Sequence, residues 1–517
     1  MKRSRRPDIL LIMADQMAAS ALPIYGHPLT QAPNISWLAE RGVVFDAAYC
    51  PSPLCAPGRA SFMSGLLPSH TGVHDNAAEF GSDVPTFAHY LRRVGYRTVL
   101  SGKMHFCGAD QLHGFEERLT TDIYPADYGW TPDWEHPDER PTWYHDMSSV
   151  LDAGRCIRSN QLDFDDEVAF SSERGLYDHI RTGDERPFCF VVSFTHPHDP
   201  FAIPDKYWER YRPEDIPLPH FQLTPAEMSA HERRLYHVCA MEGVAITEAH
   251  VRAARRAYYG AISYVDDQIG RLLTVLTQTG RLENTIVILT SDHGEMLGER
   301  GFWYKMSFYE GSARVPLVLY APSRFAPRRV PAAVSTMDLL PTLVDLVADD
   351  GSLELAGPVD GRSLLSHLGG SGSEEDVVAE YLAEGAIAPI VMIRREHYKF
   401  IHCPADPDQL FDLGADPDER HNLAADPTAA GIIEAFRSEV AKRWDLGALD
   451  RSVRDSQRTR RAVMSALSKG ASSPWDYEPS YHAATRYIRS QMDLLDLETV
   501  ARYPRVEHPA AGNTEEP

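Results

Sequence analysis

Positive charge, disulfide-forming cysteine and long apolar runs are all scarce in this 517-residue chain. Lys and Arg number 51 against 74 Asp and Glu, a formal net charge of -23. That excess repels phosphate backbones and anionic lipid surfaces, which argues against nucleic acid or a membrane as partner. Any anion site must therefore rely on local positive groups, whereas a cationic or zwitterionic ligand is compatible with the overall field. The seven cysteines are an odd number scattered through a long chain, form no disulfide framework and fit a reducing cytoplasm. The basic start, Lys2-Arg3-Ser4-Arg5-Arg6, leads into an apolar run of only Ile9 to Met13. That run is too short for a signal core or a membrane span and reads as a first buried strand. No internal repeat or long low-complexity tract is present.

What is present is ordinary globular composition, 43% hydrophobic and 24% charged, in a chain long enough for more than one structural unit. Ile9 to Met13, Phe188 to Phe194 and Thr285 to Thr290 are continuous apolar runs, as expected for strands buried on both faces of a largely parallel sheet. A stretch with helical spacing, roughly Val251 to Thr279, separates the last two. The pattern predicts an α/β fold: a large mixed, mainly parallel sheet flanked by helices. Polar residues follow each run, at the sheet edge where open α/β folds bind ligands. Thr121 to Pro141, rich in Pro, Asp and aromatics, reads as a long loop. Gly369 to Ser373 reads as a joint, after which Ile390 to His402 suggests a strand pair. The expected units are a catalytic domain over 1–370, a smaller α+β subdomain over 371–450 and an extended tail over 451–517. The tail, helical and then loop-like, lacks a core of its own and is expected to make homo-oligomer contacts, in a homodimer or homotetramer.

Four motifs carry the chemistry. PLCAPGRASFMSG, Pro53 to Gly65, holds the core Cys55-x-Pro57-x-Arg59. GYRTVLSGKMHF, Gly95 to Phe106, supplies Lys103 and His105. SDHGEMLGERGFWYKMSFYEGSARVPL brings Asp292, His293 and Lys305, and QLFDLGADPDERHNLA closes the series at Ala424. Taken singly, Cys55 would read as a small buried thiol and Lys103 with His105 as a solvated lysine and a core histidine. Asp15 and Asp292, each following a predicted strand, are natural oxygen ligands for a hard divalent cation. In this order the motifs resemble the type I, formylglycine-dependent sulfatases of the alkaline phosphatase superfamily. Gly58 and Ser64 depart from the commonest form of the first motif.

The resemblance implies that a formylglycine-generating maturase oxidises Cys55 to formylglycine. The hydrate would attack sulfur with one hydroxyl, and loss of a proton from the other would expel sulfate. It implies one divalent metal, Ca2+ with Mn2+ or Mg2+ as alternatives, held by Asp15, Gln16, residue 55, Asp292 and His293. Asp15-Gln16 and Asp292-His293 depart from the commonest ligand set and look like the branch holding choline sulfatases and phosphonate monoester hydrolases. By the same resemblance Lys103 and Lys305 neutralise sulfuryl charge, and Arg59 orients the hydrate. His105 takes the proton that releases sulfate, and His198, preferred to His196, protonates the leaving oxygen.

Within the family, TTDIYPADYGWTPDW, WYHDMSSV, SFTHPHDPF and the C-terminal SQRTRRAV and WDYEP look like choline sulfatases. A trimethylammonium group neither donates nor accepts hydrogen bonds, so aromatic faces and a carboxylate must hold it, each cation–π contact contributing about 0.5–2 kcal/mol. Trp130 and Glu384 are the implied choline cage, and Asn76 and His145 the implied neighbours of the sulfate ester. Asp146 departs from the Asn of that family and puts an extra carboxylate beside His145. The expected reaction is hydrolysis of choline O-sulfate to choline and sulfate. Another ester or a phosphonate monoester or phosphodiester is the alternative, and a non-catalytic choline-binding homologue a third.

Overall fold

In a computed structural model of the chain, residues 6–348, 353–471, 473–481, 487 and 493–504 are described. Most of the basic start, Lys2 to Arg5, and parts of the tail lie outside the described residues.

The three apolar runs form neighbouring strands at the centre of a nine-stranded sheet. Asp8–Ala14 lies between Phe188–Phe194 and Thr285–Thr290, parallel to both, so that Leu11 faces Val191 on one side and Ile288 on the other. Every residue of these strands is buried, as unbroken apolar sequence requires when layers cover both faces. Outward from Phe188–Phe194 come Arg97–Gly102 and Glu117–Arg118, again parallel. On the other side Leu317–Tyr320 runs antiparallel to both neighbours, and Val43–Tyr49 and Arg328–Ser335 complete the main path. Helices Pro33–Arg41, Phe87–Arg93 and Asn160–Thr182 pack on the sheet. The predicted helix near Val251 spans Glu248–Gln278, beginning a turn early because Thr247 caps it, its side chain accepting from the His250 amide.

The predicted strand pair belongs to a second, four-stranded antiparallel sheet, Val377–Tyr381, Ile390–Arg395, Tyr398–His402 and Gln409–Asp412. Helix Ala430–Arg443 packs against it. Lys399 joins this sheet to the larger body: its buried Nζ lies 2.7 Å from Glu310 and 2.9 Å from Glu419, and donates to the Phe308 carbonyl at 2.8 Å. Removing one partner of such a buried cluster costs about 3–5 kcal/mol.

Residues 119–147 contain no helix or strand, as the Pro and aromatic content predicts. The first part of the tail forms helix Leu446–Leu467, and its described contacts lie on this chain's own loops. Among the described residues no helix is long and apolar enough to cross a membrane.

Candidate active site

Four adjacent parallel strands end at one sheet edge, and the residues just beyond each end converge. Asp15 follows Asp8–Ala14, Lys103 follows Arg97–Gly102, His196 to Asp199 follow Phe188–Phe194, and Asp292-His293 follow Thr285–Thr290. Cys55 opens the fully buried helix Cys55–Ser64, where free amides and the helix dipole favour negative charge. Gly58 lets that helix approach the edge: a Cβ there would lie 2.9 Å from the Ser52 carbonyl oxygen and 3.1 Å from that of Asp292. The unusual glycine of the first motif thus has a steric reason.

Asp15, Cys55, Asp292 and His293 are all buried and each offers one ligand atom, the four lying within 4.8 Å of one another. Cys55 Sγ is 3.2 Å from His293 Nε2, and Lys103 Nζ donates to it at 3.5 Å. Lys103 also pairs with Asp15. Burial opposes ionisation of Cys55, but Lys103, Lys305 and His293 outweigh it and hold the thiol well below its ordinary value. Asp15, although burial and Cys55 push it upward, is held at about 2 by Lys103, His198 and Arg59. A point faced by two buried carboxylates and an imidazole suits a divalent cation with mixed oxygen and nitrogen ligands. Gln16 sits beside this point differently: its backbone amide donates to Asp292 at 3.1 Å, while its side-chain oxygen accepts from Lys305 Nζ at 2.7 Å. Arg59 also turns to the carboxylates, 2.7 Å from Asp292 and 3.3 Å from Asp15, and donates to Ser193 at 2.8 Å.

Next to this cluster lies a cavity of about 310 Å³, lined in part by Cys55, Asn76, His105, Lys305, His198 and His145. Lys305 Nζ is 2.8 Å from His198 Nε2, and Asp199 lies within 3.2 Å of the other nitrogen of that ring and 3.5 Å of His145. Despite burial, His198 and His145 hold Asp199 well below the carboxylate range. His196 faces away, 2.7 Å from buried Asp165. Neither ring nitrogen of buried His105 has a protein partner. Asn76 accepts from the Ala56 amide at 2.9 Å, at the first turn of the Cys55 helix.

Aromatic rings complete the lining. Trp130 and Trp143 stack with centroids 6.0 Å apart, and Tyr124 lies 5.4 Å from Trp130 with its ring 4.3 Å from Lys103 Nζ. Asp146 lines the same cavity, exposed, and its bonds to Ser148 lower its pKa. Glu384 lines a second cavity of about 240 Å³ that shares Trp143 as a wall. Its carboxylate is buried with no hydrogen-bond partner, and burial together with Asp75 pushes it up to about 8.

The structure therefore gathers Asp15, Gln16, Cys55, Arg59, Lys103, His105, His198, Asp292, His293 and Lys305 at one edge, with Asn76, Trp130 and His145 lining the cavity. Glu384 is one indole away. Sequence reasoning passed over Asp199 and Glu295. Asp199 holds two of the cavity histidines, His145 and His198, and Glu295 accepts from Gln16 and, at 2.6 Å, from the Tyr304 amide. Both stand inside quoted motifs, so proximity to His198 and His293 was the available signal.

The family model described as Sulfatase matches residues 7–349. A second, N-sulphoglucosamine sulphohydrolase, C-terminal, matches 298–445, and Choline sulfatase enzyme C terminal matches 451–503. The chain is 48% identical to a choline-sulfatase of Rhizobium meliloti over 511 residues, 97% of this chain and 99% of that one. It is 30% identical to an arylsulfatase of Clostridium perfringens, over 69% of this chain and 78% of that one. Among solved structures, the phosphonate monoester hydrolase of Agrobacterium radiobacter superposes with a TM-score of 0.69 at 26% identity, covering 86% of this chain and 96% of that one. A mainly parallel sheet with this edge chemistry and this end-to-end similarity leads to one conclusion: the chain belongs to the sulfatase family and is a sulfuric ester hydrolase.

Proposed function

We propose that the substrate is choline O-sulfate, hydrolysed to choline and sulfate. The observation that carries this reading is the mixed lining of one cavity: Lys305, His198, His105 and Asn76 with Cys55, together with Trp130, Trp143 and Tyr124. A choline ester needs both, positive groups for the sulfuryl oxygens and aromatic faces for a cation that makes no hydrogen bonds. The similarity to a choline-sulfatase over nearly the whole chain supports it.

A formylglycine hydrate at position 55 supplies the nucleophilic hydroxyl, and a divalent ion held by Asp15, Asp292, His293 and residue 55, with Gln16 alongside, supplies Lewis-acid charge. Ca2+ is the ion proposed, with Mn2+ or Mg2+ as alternatives. Lys103 and Lys305 place ammonium charge on the sulfuryl oxygens. His198, held by Asp199, delivers a proton to the leaving choline oxygen, and His105 accepts the proton lost from residue 55. Arg59 fixes Asp15 and Asp292, so its effect on residue 55 is exerted through them. Glu384 closes the cation end across Trp143. A maturase that oxidises Cys55 is the implied protein partner.

The proposed units are 1–370, 371–450 and 451–517, with the tail also making homodimer or homotetramer contacts. Seven unpaired cysteines support a reducing, cytoplasmic setting. Phosphonate monoesters are the second reading, favoured by the similarity to a phosphonate monoester hydrolase. The test is sulfate release from choline sulfate beside p-nitrophenyl sulfate, with a phenyl phosphonate ester followed by phenol release. The protein used is one whose Cys55 peptide shows formylglycine by mass spectrometry, with Trp130→Ala and Glu384→Ala in parallel. A preference for choline sulfate that both variants lose is expected. Equal turnover of all three esters, indifferent to those variants, would remove choline as the substrate.

A further inference from the structure

We propose that Arg460, on helix Leu446–Leu467 of the tail, is a positioning residue that holds the two walls of the ester cavity together. Its guanidinium donates to Asp75 at 2.8 and 2.6 Å and to Thr131 Oγ1 at 3.0 Å. Asp75 immediately precedes Asn76, the residue that caps the Ala56 amide at the start of the Cys55 helix. Thr131 immediately follows Trp130 on the aromatic wall. One buried cation thus ties the chain neighbours of two cavity residues to a helix 385 positions beyond Asp75 in sequence.

The rest of the helix acts on the same loop. Gln457 accepts from the Trp134 amide at 3.0 Å, and Arg454 donates to the Trp134 carbonyl at 2.9 Å and to that of Ile387 at 2.6 Å. Beyond the helix, Asp476 accepts from the Ala126 amide at 3.2 Å. Residues 119–147 have no strand or helix in which to satisfy their backbone, so these side chains take the place of a ladder. Arg rather than Lys suits the task, because a planar fork fixes a carboxylate in orientation as well as in distance. The carboxylate it neutralises also matters to Glu384, whose ionisation Asp75 already opposes. The inference rests on the cavity being the ester site, and not on choline as the ester.

The test compares Arg460→Met, Arg460→Lys, Asp75→Asn and the double variant Arg460→Met/Asp75→Asn in the full-length, formylglycine-bearing protein. KM and kcat are measured on choline sulfate and p-nitrophenyl sulfate, with thermal midpoints alongside. Arg460→Met should raise KM by about tenfold or more, with a smaller change in kcat, as misplacement of binding groups does. Arg460→Lys, which keeps the charge and loses the fork, should fall between. The double variant removes both buried charges, so its midpoint should return toward that of the parent while its KM stays raised. A double variant with the parent's KM would overturn the proposal, because Arg460 would then only balance a buried charge. If p-nitrophenyl sulfate is the better substrate of the parent, the choline reading fails, and the KM ratios on that ester still decide the role of Arg460.

Discussion

At the Cys55 end of the cavity, Asp15, Asp292 and Asp199 each face a lysine, arginine or histidine. In the adjoining cavity behind Trp143, Glu384 is buried with no hydrogen-bond partner. The first end stands on strand termini whose register is fixed by the sheet, and its charges are balanced within the protein. The second is carried by loop residues 119–147, by Glu384 and by a helix from the far end of the chain. Burial and Asp75 keep the Glu384 carboxyl protonated until pH nears 8, so a cation bound beside it would favour its ionisation. On the proposed reading, the reaction stands on the rigid frame and the choice of ester on the loops.

The largest test of that division is Cys55→Ala. Turnover should fall by about 10⁴-fold or more, as removal of a nucleophile does. Calorimetric titration should still show choline sulfate binding, because the aromatic wall is untouched. Loss of binding along with turnover would mean that the two ends are not separable.

A smaller contrast sharpens the Cys55 end itself. His198→Ala should lower kcat by about 10²–10⁴-fold, the range for a lost general acid. His196→Ala should leave kcat within a small factor and lower the thermal midpoint, because buried Asp165 keeps its backbone amides but loses the imidazole. Steady-state kinetics and a melting curve on the same two samples decide it. Equal loss of kcat in both would reassign the leaving-group proton.

The smallest effect lies in pH. The folded value of Glu384, about 8, stands above its ordinary 4.5. The folded protein therefore keeps a proton that the unfolded chain releases. The stability associated with this group is fully present below about 4.5 and is lost as pH rises toward 8. Glu384→Gln should melt at a higher temperature than the parent at pH 9 and show little gain at pH 5. A cation binds the ionised carboxylate, so KM for choline sulfate should also fall as pH rises toward 8, and that trend should vanish in Glu384→Gln. An identical pH trend in both proteins would separate Glu384 from the cation.

The central strands were readable because an unbroken apolar run has few other homes, and their polar followers marked the edge. The motif residues Cys55, Lys103, Asp292 and Lys305 were readable for the same reason, each standing in a short local pattern. The choice of His198 over His196 came from a local pattern too, whereas the contact between His196 and Asp165 had no sequence signal. The role of Arg460 was not readable: SQRTRRAV marks its segment, but its partners Asp75 and Thr131 lie 385 and 329 positions away. Nor was the position of Glu384 behind Trp143, since two cavities sharing one indole leave no periodic trace. The contacts of the tail helix with its own chain's loop were not readable either, because they join residues more than 300 positions apart.

The paired register of Asp8–Ala14 bears on how such a protein tolerates insertions and deletions. Losing one residue between Ile9 and Met13 would either turn the remaining apolar side chains to the opposite faces or draw Asp15 back by a full residue from the sheet edge. The same loss in Pro137 to Pro141 shifts no ladder, because there is none to shift. Length variation should therefore accumulate around the cation wall and be purged near the Cys55 end, leaving the chemistry constant while the accepted alcohol drifts.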